Sequence, residues 1–200
     1  MSLSELIASP DAPIATIAAY LDGLDHATRL GEVQGLGRSQ QIALWDKAAA
    51  APPITLEHFV PAHVPPLTEV IHHGRNTLPA FKLFQKRFCR PADGSNRAFG
   101  YNEGASRALI GPGYFVTIPT AGNATWQERG AWVVDYWQVP DAAVVDGWPK
   151  VVPNSSGLQV LVYNKTRDFM RKVSEHVSVG MAFKNEKALG AYFMLCREDA

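Results

Sequence analysis

Two hundred residues suffice for one good-sized domain, or for a domain with an appendage. With 46% hydrophobic and 19% charged residues, the composition excludes a disordered tail, a collagen, a disulfide scaffold and a multi-span membrane protein. Nineteen basic residues balance nineteen acidic ones, so the overall basic excess of a nucleic-acid binder is missing and nucleic acid is not expected as a partner.

The charge is uneven along the chain. Residues 1–66 carry three basic and seven acidic residues, and residues 67–200 carry 16 basic and 12 acidic. The two parts are therefore expected to attract one another, the alternative being that the second part meets something anionic. Cys89 and Cys196 have neither CxxC nor zinc-type spacing. They are expected to be free thiols of a soluble, cytoplasmic chain. No apolar run approaches the length of a membrane span, so no membrane partner is expected, and the first residues lack the basic and apolar regions of a signal peptide.

In chain order, residues 1–51 read as an accessory helical segment. Pro13 suits a helix start, with Asp11 before it as a cap, and Ile14, Ile17, Ala18 and Leu21 follow at helical spacing. Asp25 caps a second helix carrying Leu30 and Val33, stopped by the glycines at 35 and 37. Ser39 caps a third, with Ile42, Ala43 and Trp45 on one side. Residues 52–66, with five prolines, read as an extended connector. Residues 67–200 form the main domain. It opens on a helical turn at Leu67–Ile71, and all strands are expected beyond residue 75.

Strand candidates are Phe81–Arg90, Ala98–Glu103, Tyr114–Ile118, Ala131–Val139, Val177–Phe183 and Ala188–Arg197. Lys184–Lys187 is the loop of a closing hairpin. Gly157–Ser174 reads as one long amphipathic helix, with Leu158, Leu161, Val162, Phe169 and Val173 on its apolar face. The expected class is α+β: a curved antiparallel sheet or partly closed barrel, with that helix packed on it and the N-terminal helices outside.

No P-loop, HExxH, GxSxG, EF-hand loop or complete GxGxxG is present, so no cofactor is expected and an enzyme is disfavoured. His58, His63, His72 and His73 are candidate metal ligands by composition, but their spacing matches no metal pattern. Asp135 is a candidate general acid or base if it is buried. A neighbouring arginine would give it a purely structural role. The lysines and arginines at 82–90 and 165–172 are expected on solvated faces.

Aromatic residues gather in the second part. A pocket between sheet and helix is expected to be walled by Tyr114, Trp132, Tyr136, Phe169, Met181 and Tyr192, with Asp135 pointing away from it. Trp126, Trp148 and Arg107 are further candidates for its mouth. Three functions remain open. The first is a non-catalytic binding protein for a small apolar or aromatic ligand. The second is an interaction or assembly module that docks a protein partner through the N-terminal helices. The third is an enzyme using Asp135 with a histidine from 58–73.

Overall fold

The computed structural model describes residues 1–199. The first fifty residues form α1 (Leu3–Ala8), α2 (Ile14–Asp22), α3 (His26–Gly35) and α4 (Arg38–Lys47), ending in a 3-10 turn at Ala48–Ala50. Ser2 and Glu5 close a capping box on α1, and Asp25 Oδ1 accepts from Thr28 N at 3.0 Å to cap α3. Two expected caps differ. Pro13 itself is the N-cap of α2, so Asp11 has no such role. Gly37 precedes α4, and Gln40 Oε1 accepts from its backbone N–H at 2.7 Å in place of a Ser39 cap.

A short α5 (Leu56–Phe59) interrupts the proline-rich stretch. Eight strands follow: β1 (Val70–Asn76), β2 (Leu83–Cys89), β3 (Ala98–Glu103), β4 (Phe115–Pro119), β5 (Trp132–Asp135), β6 (Thr166–Lys172), β7 (Val177–Lys184) and β8 (Lys187–Arg197). Three small helices lie in the connections: α6 (Arg107–Ile110), α7 (Ala124–Arg129) and α8 (Gln159–Val162). Each strand pairs antiparallel with its neighbours in sequence, and β1 pairs with β8, so the sheet is a closed barrel. Closure leaves no free edge.

The long helix expected over 157–174 is absent. Only Gln159–Val162 is helical, and Thr166–Lys172 is a strand paired with β5 and β7. Lys165, at φ 60°, breaks the run. Beyond it the period is two: Thr166, Asp168 and Met170 face inward, while Arg167, Phe169 and Arg171 face outward. The helical spacing of Leu158, Leu161 and Val162 served no core, for all three are exposed. β1 begins at Val70, earlier than expected, and displaces the helical turn drawn at Leu67–Ile71. The strand expected to run to Val139 ends at Asp135, whose Oδ1 accepts from Trp137 N at 3.0 Å and turns the chain.

The register sorts the side chains into two cores. Inside the barrel lie Val70, Phe88, Ala98, Phe115, Trp132, Val134, Tyr136, Met170, Phe193 and Leu195, with Phe59 of α5 plugging one end. An eight-stranded barrel is just wide enough for side chains to fill. Outside, the apolar faces of α1–α4 cover β6–β8. Leu3, Ile17, Leu21, Val33 and Leu44 are fully buried against Phe169, Val177, Val179, Met194 and Cys196. Each such side chain contributes about 1.5–3 kcal/mol of burial, so this layer docks chiefly by apolar contact. The expected charge attraction is minor, with Arg90–Glu57 at 3.5 Å as one ion pair of that sense.

Candidate functional site at the barrel mouth

One end of the barrel is closed by α5, and the other is ringed by the β1–β2, β3–β4, β5–β6 and β7–β8 connections. We call the second end the mouth. The polar centre of the interior lies between the ends. Lys86 of β2 alternates with Phe84 and Phe88, which turns it inward. Its Nζ donates to Asn102 Oδ1 at 3.1 Å, to Asp168 Oδ2 at 3.1 Å and to the Tyr136 hydroxyl. Those three acceptors match the three donors of an ammonium. Asn102 is held in turn, donating to Gly113 O at 2.9 Å.

Four aromatic rings surround the same ammonium. Nζ lies 5.0 Å from the ring centroids of Tyr136 and Phe193, 5.1 Å from Phe115 and 5.7 Å from Phe84. Their faces carry negative charge density that favours a desolvated cation. Inward glycines make room for three of the rings. Gly74 lies under Phe84, Gly100 under Phe115 and Gly180 under Phe193. A Cβ at Gly74 or Gly100 would come within 2.5 Å of the ring above it. A strand glycine here provides close approach, and the ring covers the exposed backbone.

Burial lowers the Lys86 pKa, opposed by the charge of Asp168. The same desolvation, reinforced by Asp168, pushes the Tyr136 hydroxyl well above the usual range. Tyr163 stacks on Tyr136 with centroids 5.3 Å apart, and burial raises its hydroxyl to about 12. The cluster is thus an ammonium, a carboxylate, a neutral phenol and an amide in a desolvated aromatic box. Towards the mouth, Phe84, Tyr163, Ala182 and Ala191 remain partly exposed. A buried aromatic cluster of this kind within a β-barrel fits a ligand-binding fold.

The six expected pocket residues do not share one surface. Trp132 and Tyr136 are inside the barrel. Tyr114 faces outward, packed on Tyr101 and Trp148, and its hydroxyl donates to Pro149 O. Phe169 belongs to a strand and packs outside on Trp126 and Phe183. Met181 and Tyr192 lie under the N-terminal helices. Asp135 also points outward, 3.2 Å from Arg167 Nε, and its Oδ2 accepts from Gln138 Nε2 at 2.9 Å. Arg107 is near the mouth, bound to Glu103 at 2.7 Å.

The histidines separate. His58 and His72 are buried together below Lys86 with ring centroids 6.2 Å apart, and His72 Nε2 donates to Phe59 O at 2.9 Å. His73 faces outward to Glu198 at 2.7 Å, and His63 is exposed. Among the described residues no group of three or more His, Cys, Asp or Glu gathers as a metal site. Asp135 and these histidines do not converge.

Sequence reasoning missed Lys86, Asn102 and Asp168. The basic run at 82–90 suggested a solvated face, yet Lys86 is only 2% exposed. The available signal was parity, since Phe84-x-Lys86-x-Phe88 places the lysine on the phenylalanine face.

Comparison with protein-family models, with curated proteins and with solved structures returned no match.

Proposed function

We propose that the protein is a non-catalytic binding protein for a small apolar or aromatic ligand, taken up at the barrel mouth. The ligand's body would lie against Phe84, Phe193 and Tyr163, over the small side chains of Ala182 and Ala191. A single polar group would turn inward towards Lys86, Asp168 and Tyr136, with Trp132 and Phe59 forming the floor beneath them. In this reading residues 67–200 are the ligand-bearing unit, and residues 1–51 are an accessory layer joined to it by 52–66.

The observation that carries the reading is the Lys86–Asp168 pair, 3.1 Å apart in an aromatic box. A buried ion pair is weak as a stabilising device, because hydrophobic residues of similar volume do as well or better. Its presence beneath partly exposed apolar residues points to recognition instead.

Titration with the fluorescent apolar probe 1-anilinonaphthalene-8-sulfonate tests this. The expected result is saturable binding at one site per chain, abolished by Ala182→Phe, which fills the mouth, with the fold retained by circular dichroism. Absence of saturable binding, or binding indifferent to Ala182→Phe, would overturn the reading.

A further inference from the structure

The exposed large apolar side chains are concentrated at one end of the molecule. Apart from Met1, those among the described residues are Leu78, Phe81, Leu83, Leu109, Trp137, Leu158, Val160, Leu161, Val162 and Leu189. Each lies in, or at the edge of, a connection at the mouth. Leu161 is 72% exposed, Leu109 71% and Phe81 59%. Scattered single apolar residues are ordinary on a surface, but a set confined to one rim marks an interaction site. No such residue lies in the connections at the plugged end.

The same rim is basic. Lys82, Lys165, Lys184 and Lys187 stand among these apolar residues, and none pairs with a carboxylate among the described residues. The nearby acids are already engaged: Glu103 binds Arg107, and Glu186 binds Arg129 and Arg167. Lys165 lies 5.7 Å from the ring centroid of the exposed Trp137. An indole beside a lysine is an amphipathic pair suited to a boundary between headgroups and acyl chains.

Shape selects the occupant. The apolar residues come from four separate connections around one barrel end, so they form a ring. Leu158, Val160, Leu161 and Val162 come from one of these connections, and the others are spread over all four. A ring of apolar tips interspersed with lysines that have no carboxylate partner among the described residues, Lys184 donating to Leu161 O at 2.8 Å, matches a flat, apolar-cored, anionic surface. We infer that the barrel mouth docks onto a lipid membrane rich in anionic headgroups, with Phe81, Leu109, Trp137 and Leu161 entering the headgroup region and Lys82, Lys165, Lys184 and Lys187 contacting the lipid charges.

This goes beyond ligand binding and does not depend on it. The test is flotation of the full chain with vesicles of phosphatidylcholine alone and of phosphatidylcholine with phosphatidylserine. Co-flotation is expected only with the phosphatidylserine vesicles, and raised salt should weaken it. Lys82→Glu with Lys187→Glu should weaken binding about tenfold or more. Phe81→Asp with Leu161→Asp should remove it while leaving the circular dichroism unchanged, since both side chains are exposed. Ala182→Phe, which tests the ligand site, should still float. Equal binding to both vesicle types, no binding to either, or insensitivity to all four rim substitutions would overturn the inference. So would a concentration-dependent dimer, dispersed by Leu161→Asp, in place of vesicle binding.

Discussion

Lys86 Nζ and Asp168 Oδ2 meet at 3.1 Å across the barrel interior, from positions 82 residues apart in sequence, and both side chains are almost wholly buried. The pair is worth most when intact, because losing one member strands the other charge in a desolvated box. Lys86→Met and Asp168→Asn should each cost about 3–5 kcal/mol of stability. The double variant should cost clearly less than the sum of the two, with a coupling above about 1 kcal/mol. Urea unfolding of the four proteins measures this, and additive effects would show that the two charges do not depend on each other.

How much of this was legible in the sequence differs from residue to residue. The helical spacing of Ile14, Ile17 and Leu21 names a face that is buried in the outer core. Ala98–Glu103 is a strand with the expected limits, and the Lys187–Arg197 strand closes the hairpin one residue before its expected start. Thr166–Lys172 could not be recognised locally, because it supplies the strand between β5 and β7 and barrel closure overrides its apparent helical period. The site was illegible for a related reason. Lys86, Asn102 and Asp168 come from three strands and Tyr136 from the residue just beyond a fourth, and only the register of a closed sheet brings them together. The glycines at 74, 100 and 180 carried a hint, as each lowers β propensity where a neighbouring strand's phenylalanine needs space.

The ring of Phe193 occupies the space above Gly180, so an added methyl has no room unless the ring moves. Gly180→Ala should destabilise the protein by about 1–3 kcal/mol. Phe193→Leu in the same chain should recover part of that loss, although alone it destabilises. Thermal or urea melts of the three variants decide the matter. If Phe193→Leu brings no recovery, the clash lies elsewhere.

Both thiols are shielded. Cys89 and Cys196 are fully buried and unpaired, and desolvation raises Cys89 to about 12 and Cys196 to about 11. The thiolate is the reactive form, so neither should react with 5,5′-dithiobis(2-nitrobenzoate) at pH 8 while the chain is folded. Two thiols per chain should titrate at once in guanidinium chloride. Rapid reaction of the native protein would contradict the burial of the outer face of β2 or β8.

His58 and His72 make stability pH-dependent. Burial holds the pKa of His58 well below its ordinary value and lowers that of His72 from 6.5 to about 3, against the opposing effect of its bond to Phe59 O. Both rings are therefore neutral in the folded chain at pH 5, whereas an unfolded histidine is protonated there. The unfolded state binds more protons below pH 6.5, so stability falls as the pH is lowered through that value. Between pH 6.5 and 5 His72 should account for a loss of about 1.5–2 kcal/mol, and His58 should add to it in the same direction. The partly buried His176, lowered in the same direction chiefly by desolvation, adds to the trend. Urea midpoints across this range measure the slope, and His58→Leu should reduce it by about one proton. A slope left unchanged by His58→Leu would show that His58 already carries its proton in the folded barrel.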